Sequence, residues 1–218
     1  MENEKLRASI LGIRLIANVS PELAKRLELS ERNKSLAIIT ADTDDVLYTA
    51  LDEATKDSDV EVVYARSMYA GAGNASTKLA GEVIGILGGP SPAEVKSGIR
   101  SVQNFMENGP CFISANEDNS IVYYAHTISR TGSYLSKSAG VKEGEALAYL
   151  IAPPMEAMYG LDTALKAADV ELVEFYGPPS ETNFGGGLLT GSQSACIAAC
   201  SAFAEAVKTI ARNPKELA

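Results

Sequence analysis

Leu51-Asp-Glu-Ala-Thr-Lys-Asp-Ser-Asp-Val-Glu-Val-Val63 aligns without gaps on Leu161-Asp-Thr-Ala-Leu-Lys-Ala-Ala-Asp-Val-Glu-Leu-Val173. Leu, Asp, Ala, Lys, Asp, Val, Glu and the final Val coincide. Each copy reads as the end of an amphipathic helix running into a strand that opens at the Asp-Val-Glu triplet. Downstream, Gly85-Ile-Leu-Gly-Gly89 resembles Gly187-Leu-Leu-Thr-Gly191, and each leads into a helix. The register between the halves changes from 110 to 102 residues across the intervening loop, so the second loop is eight residues shorter. An internal repeat of this length marks two copies of one structural unit.

Working outward, Ser91-Pro92-Ala93-Glu94 has the form of an N-cap, a proline at the first helical position and a capping-box Glu. That helix is expected to run to Asn108 and stop at Gly109. Its counterpart begins near Ser192, runs to Arg212 and ends at Asn213-Pro214. Asp42 and Thr43 are expected to cap a helix over 44–56, and Pro153-Pro154 to introduce one over 155–168. Strand-like runs precede each repeated core: Ser9–Val19 and Ser35–Thr40, then Ile121–Ala125 and Ala146–Ile151. Each half therefore reads strand, short helix, strand, helix, strand, loop, strand, helix. That order implies an α/β (α+β) sandwich with helices packed on mainly antiparallel sheets. Asn108-Gly-Pro interrupts the chain, and the boundary falls within 108–117, giving domains of residues 1–112 and 113–218.

At 218 residues the chain is long enough for two such domains. With 46% hydrophobic and 22% charged residues it can bury a core. A net charge of −9, from 19 basic and 28 acidic residues, excludes a nucleic-acid surface. No apolar run reaches the roughly 18–20 residues of a membrane span, and Met-Glu-Asn-Glu-Lys lacks signal-peptide order. A cytoplasmic protein is expected, with Cys111, Cys196 and Cys200 as reduced thiols. Cys196 and Cys200 share a helix face as small buried thiols rather than metal ligands, because His126 is the one histidine available to complete a site.

Catalytic machinery is not apparent. His126 lies in a strand-like run, and no nucleophile elbow, P-loop or His-Glu-x-x-His motif occurs. Gly81-x-x-x-Gly85 and Gly185-Gly-Gly187 lack the context of a dinucleotide fingerprint. One acidic group stands out: Asp42, Asp44 and Asp45, with Glu82 on a neighbouring expected strand. Carboxylates so grouped suit a small ammonium, and the same residues at a helix start also favour its dipole. Two Gly-rich loops, Arg66–Ser76 and Tyr176–Gly187, sit at matching places in the halves, each with an aromatic residue.

Longer segments carry a family resemblance. Asp52-Glu-Ala-Thr-Lys56, Val60-Glu-Val-Val-Tyr64, Ser129-Arg-Thr-Gly-Ser-Tyr-Leu135, Pro179-Ser-Glu-Thr-Asn183 and Leu189-Thr-Gly-Ser-Gln193 resemble the ethanolamine-utilisation bacterial microcompartment shell family. The resemblance covers residues 7–218. It implies two tandem, circularly permuted microcompartment domains and a structural, non-enzymatic shell protein forming a homotrimer of hexamer-like shape beside other shell proteins. It also implies a central pore gated by the two loops, with Tyr69, Gly71, Gly73, Glu181, Thr182 and Gly186 as gating residues. Smaller pores would bind ethanolamine or a similar metabolite at Asp44, Asp45, Glu82, Phe112, Asn183, Phe184 and Gly185. No cofactor is required; the resemblance admits cobalamin as a bound ligand, since the ethanolamine ammonia-lyase inside such compartments uses it. The competing class is a soluble small-molecule-binding regulatory module, as duplicated α/β domains often are.

Overall fold

A computed structural model describes residues 3–68, 77 and 79–215. In chain order the elements are β1 (Lys5–Leu6), β2 (Ile10–Ile16), α1 (Pro21–Arg26), β3 (Ser35–Ala41), α2 (Asp44–Asp57), β4 (Glu61–Ser67), β5 (Val83–Gly89) and α3 (Pro92–Asn108). They continue with β6 (Phe112–Ser114), β7 (Val122–Ile128), α4 (Ser133–Ala139), β8 (Ala146–Ala152), α5 (Pro154–Ala167), β9 (Val170–Tyr176), β10 (Gly185–Gly191) and α6 (Gln193–Arg212). The chain divides into two compact units. An N-terminal unit holds Ala8–Pro110 with Gly132–Leu135, and a C-terminal unit holds the described residues of Met1–Arg7, Cys111–Thr131 and Ser136–Ala218.

The N-terminal unit is a four-stranded sheet in the order β2-β3-β5-β4. The C-terminal sheet has the matching order β7-β8-β10-β9, extended at one edge by β6 and β1. Every strand pair is antiparallel. The repeat is visible down to a bulge. Between β4 and β5 the register slips past Val63, and between β9 and β10 it slips past Val173, the residue aligned with it. An extra residue bends and twists an edge strand, so both units inherit the same curved edge.

Burial follows the pattern of the sequence. In the C-terminal unit, Ala146, Ala148, Leu150 and Ala152 of β8 turn one face to Ala157, Leu161 and Ala164 of α5 and to Cys196, Ala199, Phe203 and Val207 of α6. Phe203 of α6 packs against Gly160 of α5, where an added Cβ would lie 2.7 Å from its ring. In the N-terminal unit, Leu36, Ile39, Val46, Leu47, Leu51, Leu87, Val95 and Val102 are fully buried. The helix α6 is long and apolar enough by composition to cross a membrane, contrary to the expectation that no such run exists. Its Cys196, Ala199, Cys200, Phe203 and Val207 belong to the C-terminal core.

Several local expectations need correction. Thr43 is the N-cap residue of α2 but makes no side-chain cap bond, because Asp42 accepts from the Ser9 N–H at 2.7 Å and from the Thr43 hydroxyl at 3.2 Å. Ser91 does cap α3 by accepting from the Glu94 N–H, yet the Glu94 carboxylate turns to the Asp59 N–H instead of closing the box. Arg66 and Ser67 belong to β4 rather than to a loop. Gly185, Gly186 and Gly187 form the first half of β10, paired with Ala152, Ile151 and Leu150. Glu82 lies one residue ahead of β5. The helix α5 starts at Pro154, and β1 and β6 were not expected at all.

One long-range feature shapes the N-terminal unit. Residues Gly132–Leu135, which open α4, dock on α2. The buried Asp52 carboxylate accepts from the Gly132 N–H at 2.7 Å and the Leu135 N–H at 2.8 Å. Thr55 Oγ1 accepts from the Ser133 N–H at 3.1 Å and donates to the Asp52 carbonyl at 2.7 Å. The first N–H groups of a helix lack partners within it, and here α2 supplies them. Gly132 is required by the close approach, since a Cβ there would lie 2.3 Å from Thr55 Oγ1 and 2.6 Å from the Asp52 carbonyl oxygen.

The placement of Gly186 in a strand generates a prediction. Its φ of +153° and the 1.8 Å that would separate an added Cβ from the Leu150 carbonyl oxygen leave no room for a side chain. Gly186→Ala is expected to cost about 3 kcal/mol or more, as a strained backbone and a packing clash combine. Chemical denaturation followed by circular dichroism measures this, and an unchanged midpoint would contradict the strand assignment.

Candidate functional site: an acidic helix start and an aromatic pair

The acidic residues gather where β3 ends and α2 begins. Asp44 and Asp45 are buried, although carboxylates seldom are unless they have partners. Asp44 Oδ1 accepts from the Asp45 N–H at 2.9 Å, and Oδ2 accepts from Ser67 Oγ at 2.7 Å. Ser67 Oγ lies 2.7 Å from the Tyr48 hydroxyl, and the Thr49 hydroxyl donates to the Asp45 carbonyl at 2.9 Å. Burial, above all, raises the Tyr48 hydroxyl well beyond its ordinary range. The hydrogen bonds to its two oxygens hold Asp44 in one orientation.

Glu82 completes the group from the other side of the sheet junction. Its N–H donates to the Ala41 carbonyl at 2.9 Å and its own carbonyl accepts from the Met68 N–H at 2.7 Å. The backbone is thus pinned between the ends of β3 and β4. Burial first, then the negative charges of Asp44 and Asp42, push the Glu82 carboxyl above its usual range. Glu82 therefore feels the charges of Asp44 and Asp42.

In the C-terminal unit the expected residues form an aromatic group. Phe112 on β6 stacks on Tyr124 at 5.4 Å between centroids and meets the edge of Phe184 at 5.7 Å. Tyr124 continues to Tyr149 at 5.6 Å, and Tyr149 to Tyr176 at 6.2 Å. The turn before β10 is fixed by the Ser180 N–H donating to the Phe184 carbonyl and the Asn183 N–H donating to the Ser180 carbonyl. Asn183 takes a left-handed φ of +65°. Glu181 and Thr182 belong to the same turn, with Thr182 Oγ1 3.3 Å from Ser180 Oγ. Tyr69, Gly71 and Gly73 lie outside the described residues.

Within its unit, then, the fold brings Asp44 to Glu82, and Phe112 to Phe184. Sequence reasoning passed over Ser67 and Tyr48. Tyr48 stands four residues after Asp44 on one helix face, which is the signal that could have found it; Ser67 arrives from another strand and left none. The thiols are buried, with burial raising Cys196 and lifting Cys200 to about 11. Among the described residues no group of three or more His, Cys, Asp or Glu is arranged to hold a metal.

Two units of one topology, each a β-sheet backed by helices, define a duplicated microcompartment domain, and the family model described as BMC domain matches residues 35–117. The bacterial microcompartment shell protein EutL of Clostridium perfringens is 70% identical over 214 residues, covering 98% of this chain and 99% of that protein. EutL of Salmonella typhimurium is 52% identical over 213 residues, covering 98% and 97%. The crystal structure of the ethanolamine utilization protein EutL from Leptotrichia buccalis superposes with a TM-score of 0.97 at 67% identity, covering 100% of both chains. The chain belongs to the EutL family of bacterial microcompartment shell proteins. It is a structural shell component and not an enzyme.

The electrostatics of Glu82 give a prediction of sign. A carboxyl raised in the folded state binds its proton more tightly folded than unfolded, so stability falls as pH rises from the ordinary carboxylate range through the raised value. Glu82→Gln removes that penalty. Its unfolding temperature is expected to exceed that of the parent protein at pH 7, the gap closing towards pH about 4. Thermal melts across that range decide it: a variant no more stable at pH 7 shows that the Glu82 charge carries no net cost.

Proposed function

We propose that the chain forms a homotrimer of sixfold-like shape that tiles with other shell proteins into a microcompartment shell in the bacterial cytoplasm. Two domains per chain make three chains equivalent to six units, and closed cyclic symmetry is the usual outcome for such subunits. A central opening would be gated by the loops at 66–76 and 176–187, through Tyr69, Gly71, Gly73, Glu181, Thr182 and Gly186. Gly186 lies in β10, and Glu181 and Thr182 lie in the turn ahead of it. Cobalamin remains a proposed ligand of the family type, with no residue pattern assigned to it.

Smaller pores would bind ethanolamine or a similar amino alcohol through Asp44, Asp45, Glu82, Phe112, Asn183, Phe184 and Gly185. The observation that carries this reading is the placing of three carboxylates at one junction: Asp44 and Asp45 are buried at the start of α2, and the Glu82 N–H is bonded to the Ala41 carbonyl at the end of β3. Charge-assisted contacts would hold the ammonium, while the short molecule offers few further atoms. A Kd of about 1 mM, near −4 kcal/mol, is the appropriate scale, and a transport pore must also release what it binds.

Titration calorimetry with ethanolamine tests the assignment. Glu82→Gln keeps the shape and removes the charge, and is expected to weaken binding by about tenfold or more, the loss of one charged contact worth about 1.5–3 kcal/mol. Unchanged affinity in Glu82→Gln would leave this carboxylate a purely structural role and remove it from the site.

A further inference from the structure

Two hydroxyls reach the Asp44 carboxylate in series. Ser67 Oγ donates to Asp44 Oδ2 at 2.7 Å and lies 2.7 Å from the Tyr48 hydroxyl. A hydroxyl has one proton to donate, and that of Ser67 goes to Asp44. The Tyr48 hydroxyl is therefore the donor in its contact with Ser67. On the other side, the Asp45 N–H reaches Asp44 Oδ1 at 2.9 Å. Both oxygens of a residue that is 7% exposed are thus directed by donors on the protein.

The Tyr48 end is itself supported. Tyr48 follows Asp44 by four residues, so the two share a face of α2. Its ring meets that of Tyr134 at 6.2 Å between centroids. Tyr134 sits between Ser133 and Leu135, whose N–H groups are bonded to Thr55 Oγ1 and to the Asp52 carboxylate.

The second repeat lacks this relay as a whole. Under the 110-residue alignment, Asp44, Tyr48 and Ser67 correspond to Pro154, Met158 and Gly177. Strand pairing agrees with that alignment, since Tyr64 opposes Ile86 as Glu174 opposes Leu188. None of the three replacements carries a hydroxyl or a carboxylate. The apolar framework around them is kept: Leu51, Val60 and Val63 have Leu161, Val170 and Val173 as counterparts. Hydroxyls that only tied a helix to a strand would serve the second repeat equally. They occur where the carboxylate occurs and are absent where it is absent.

We propose that Tyr48 and Ser67 are positioning residues for the amine ligand, Tyr48 orienting the Ser67 hydroxyl and Ser67 holding the Asp44 carboxylate in the orientation that receives the ammonium. The inference rests on the amine-binding reading above and adds two residues that act on the ligand through Asp44. A carboxylate accepts at several lone pairs, so a bond from Ser67 does not close it to an ammonium. Two effects oppose each other when the relay is cut. Losing a donor leaves more negative charge on the carboxylate, which favours a cation. It also frees the side chain, which must be ordered again at each binding event. The second effect prevails, because a neutral hydroxyl withdraws little charge, whereas a ligand with few contacts depends on their being preorganised.

Titration of the full chain with ethanolamine, by calorimetry, tests this through Tyr48→Phe, Ser67→Ala and the double variant. Ser67→Ala is expected to raise Kd about tenfold and Tyr48→Phe about threefold, each the scale of one hydrogen bond. In the Ser67→Ala background Tyr48→Phe is expected to change nothing further, because its effect passes through Ser67. Ser67→Thr, which restores the hydroxyl, is expected to recover the parent affinity. A parent protein that does not bind ethanolamine overturns the amine reading and this inference with it. Where the parent binds, tighter or unchanged binding in Tyr48→Phe overturns the positioning role alone, even if Ser67→Ala fails to fold. So does a Tyr48→Phe effect of equal size with and without Ser67, or a Ser67→Thr protein as weak as Ser67→Ala.

Discussion

The Asp52 carboxylate is the interaction on which the N-terminal unit depends. It reaches across 80 residues of chain to the Gly132 N–H and 83 to the Leu135 N–H. Burial raises its carboxyl above the ordinary range, against the pull of those two N–H groups and of Lys56. A charged acceptor of this kind contributes about 1.5–3 kcal/mol per hydrogen bond, and its loss would orphan two N–H groups at the start of α4. The segment it holds brings Leu135 into the core and lays Tyr134 against Tyr48 at 6.2 Å. Tyr48 in turn faces Ser67, which fixes Asp44. One buried carboxylate is thus connected, contact by contact within a single unit, to a carboxylate of the candidate site.

Much of the fold was readable because the chain repeats itself. An alignment that carries a helix end and a strand start in both copies carries the rest of the topology with it, down to the bulges at Val63 and Val173. What escaped was whatever lacks a local signature. The strands Lys5–Leu6 and Phe112–Ser114 are too short to show alternation. Gly185-Gly-Gly187 looked like loop because glycine carries no side chain to report a strand, yet backbone packed over it is what makes glycine necessary. Asp42 looked like a cap, but the Ser9 N–H claimed it, a partner 33 residues distant that no helix rule anticipates.

The candidate site was readable to a lesser degree. Carboxylates at a helix start admit two explanations, the macrodipole and a ligand, and the residues alone do not separate them. The structure adds the burial of Asp44 and Asp45 and the Ser67 hydrogen bond to Asp44, which a simple dipole contact at a solvated helix end would not require. Phe112, Asn183, Phe184 and Gly185 rested on family resemblance from the start. An aromatic pair between a three-residue strand and a turn has no periodic pattern behind it.

Duplication within one chain has a physical consequence that separate identical subunits could not share. Asp44 and Asp45 at the start of α2 align with Pro154 and Met155 at the start of α5, and Glu82 aligns with Phe184. At these three aligned positions one copy carries carboxylates and the other Pro154, Met155 and Phe184, with Glu156 the one acid in the first turn of α5. Six identical domains in a ring would bring either all six acidic groups or none, so every favourable change would be repeated at each position. Fusing two copies breaks that equivalence. The acidic start of α2 keeps its carboxylates oriented by Ser67, while the equivalent start of α5 is free to become the exposed apolar face of Met155 and Met158. Corresponding helix starts in the two repeats thus carry different chemistry, buried carboxylates at one and exposed methionines at the other.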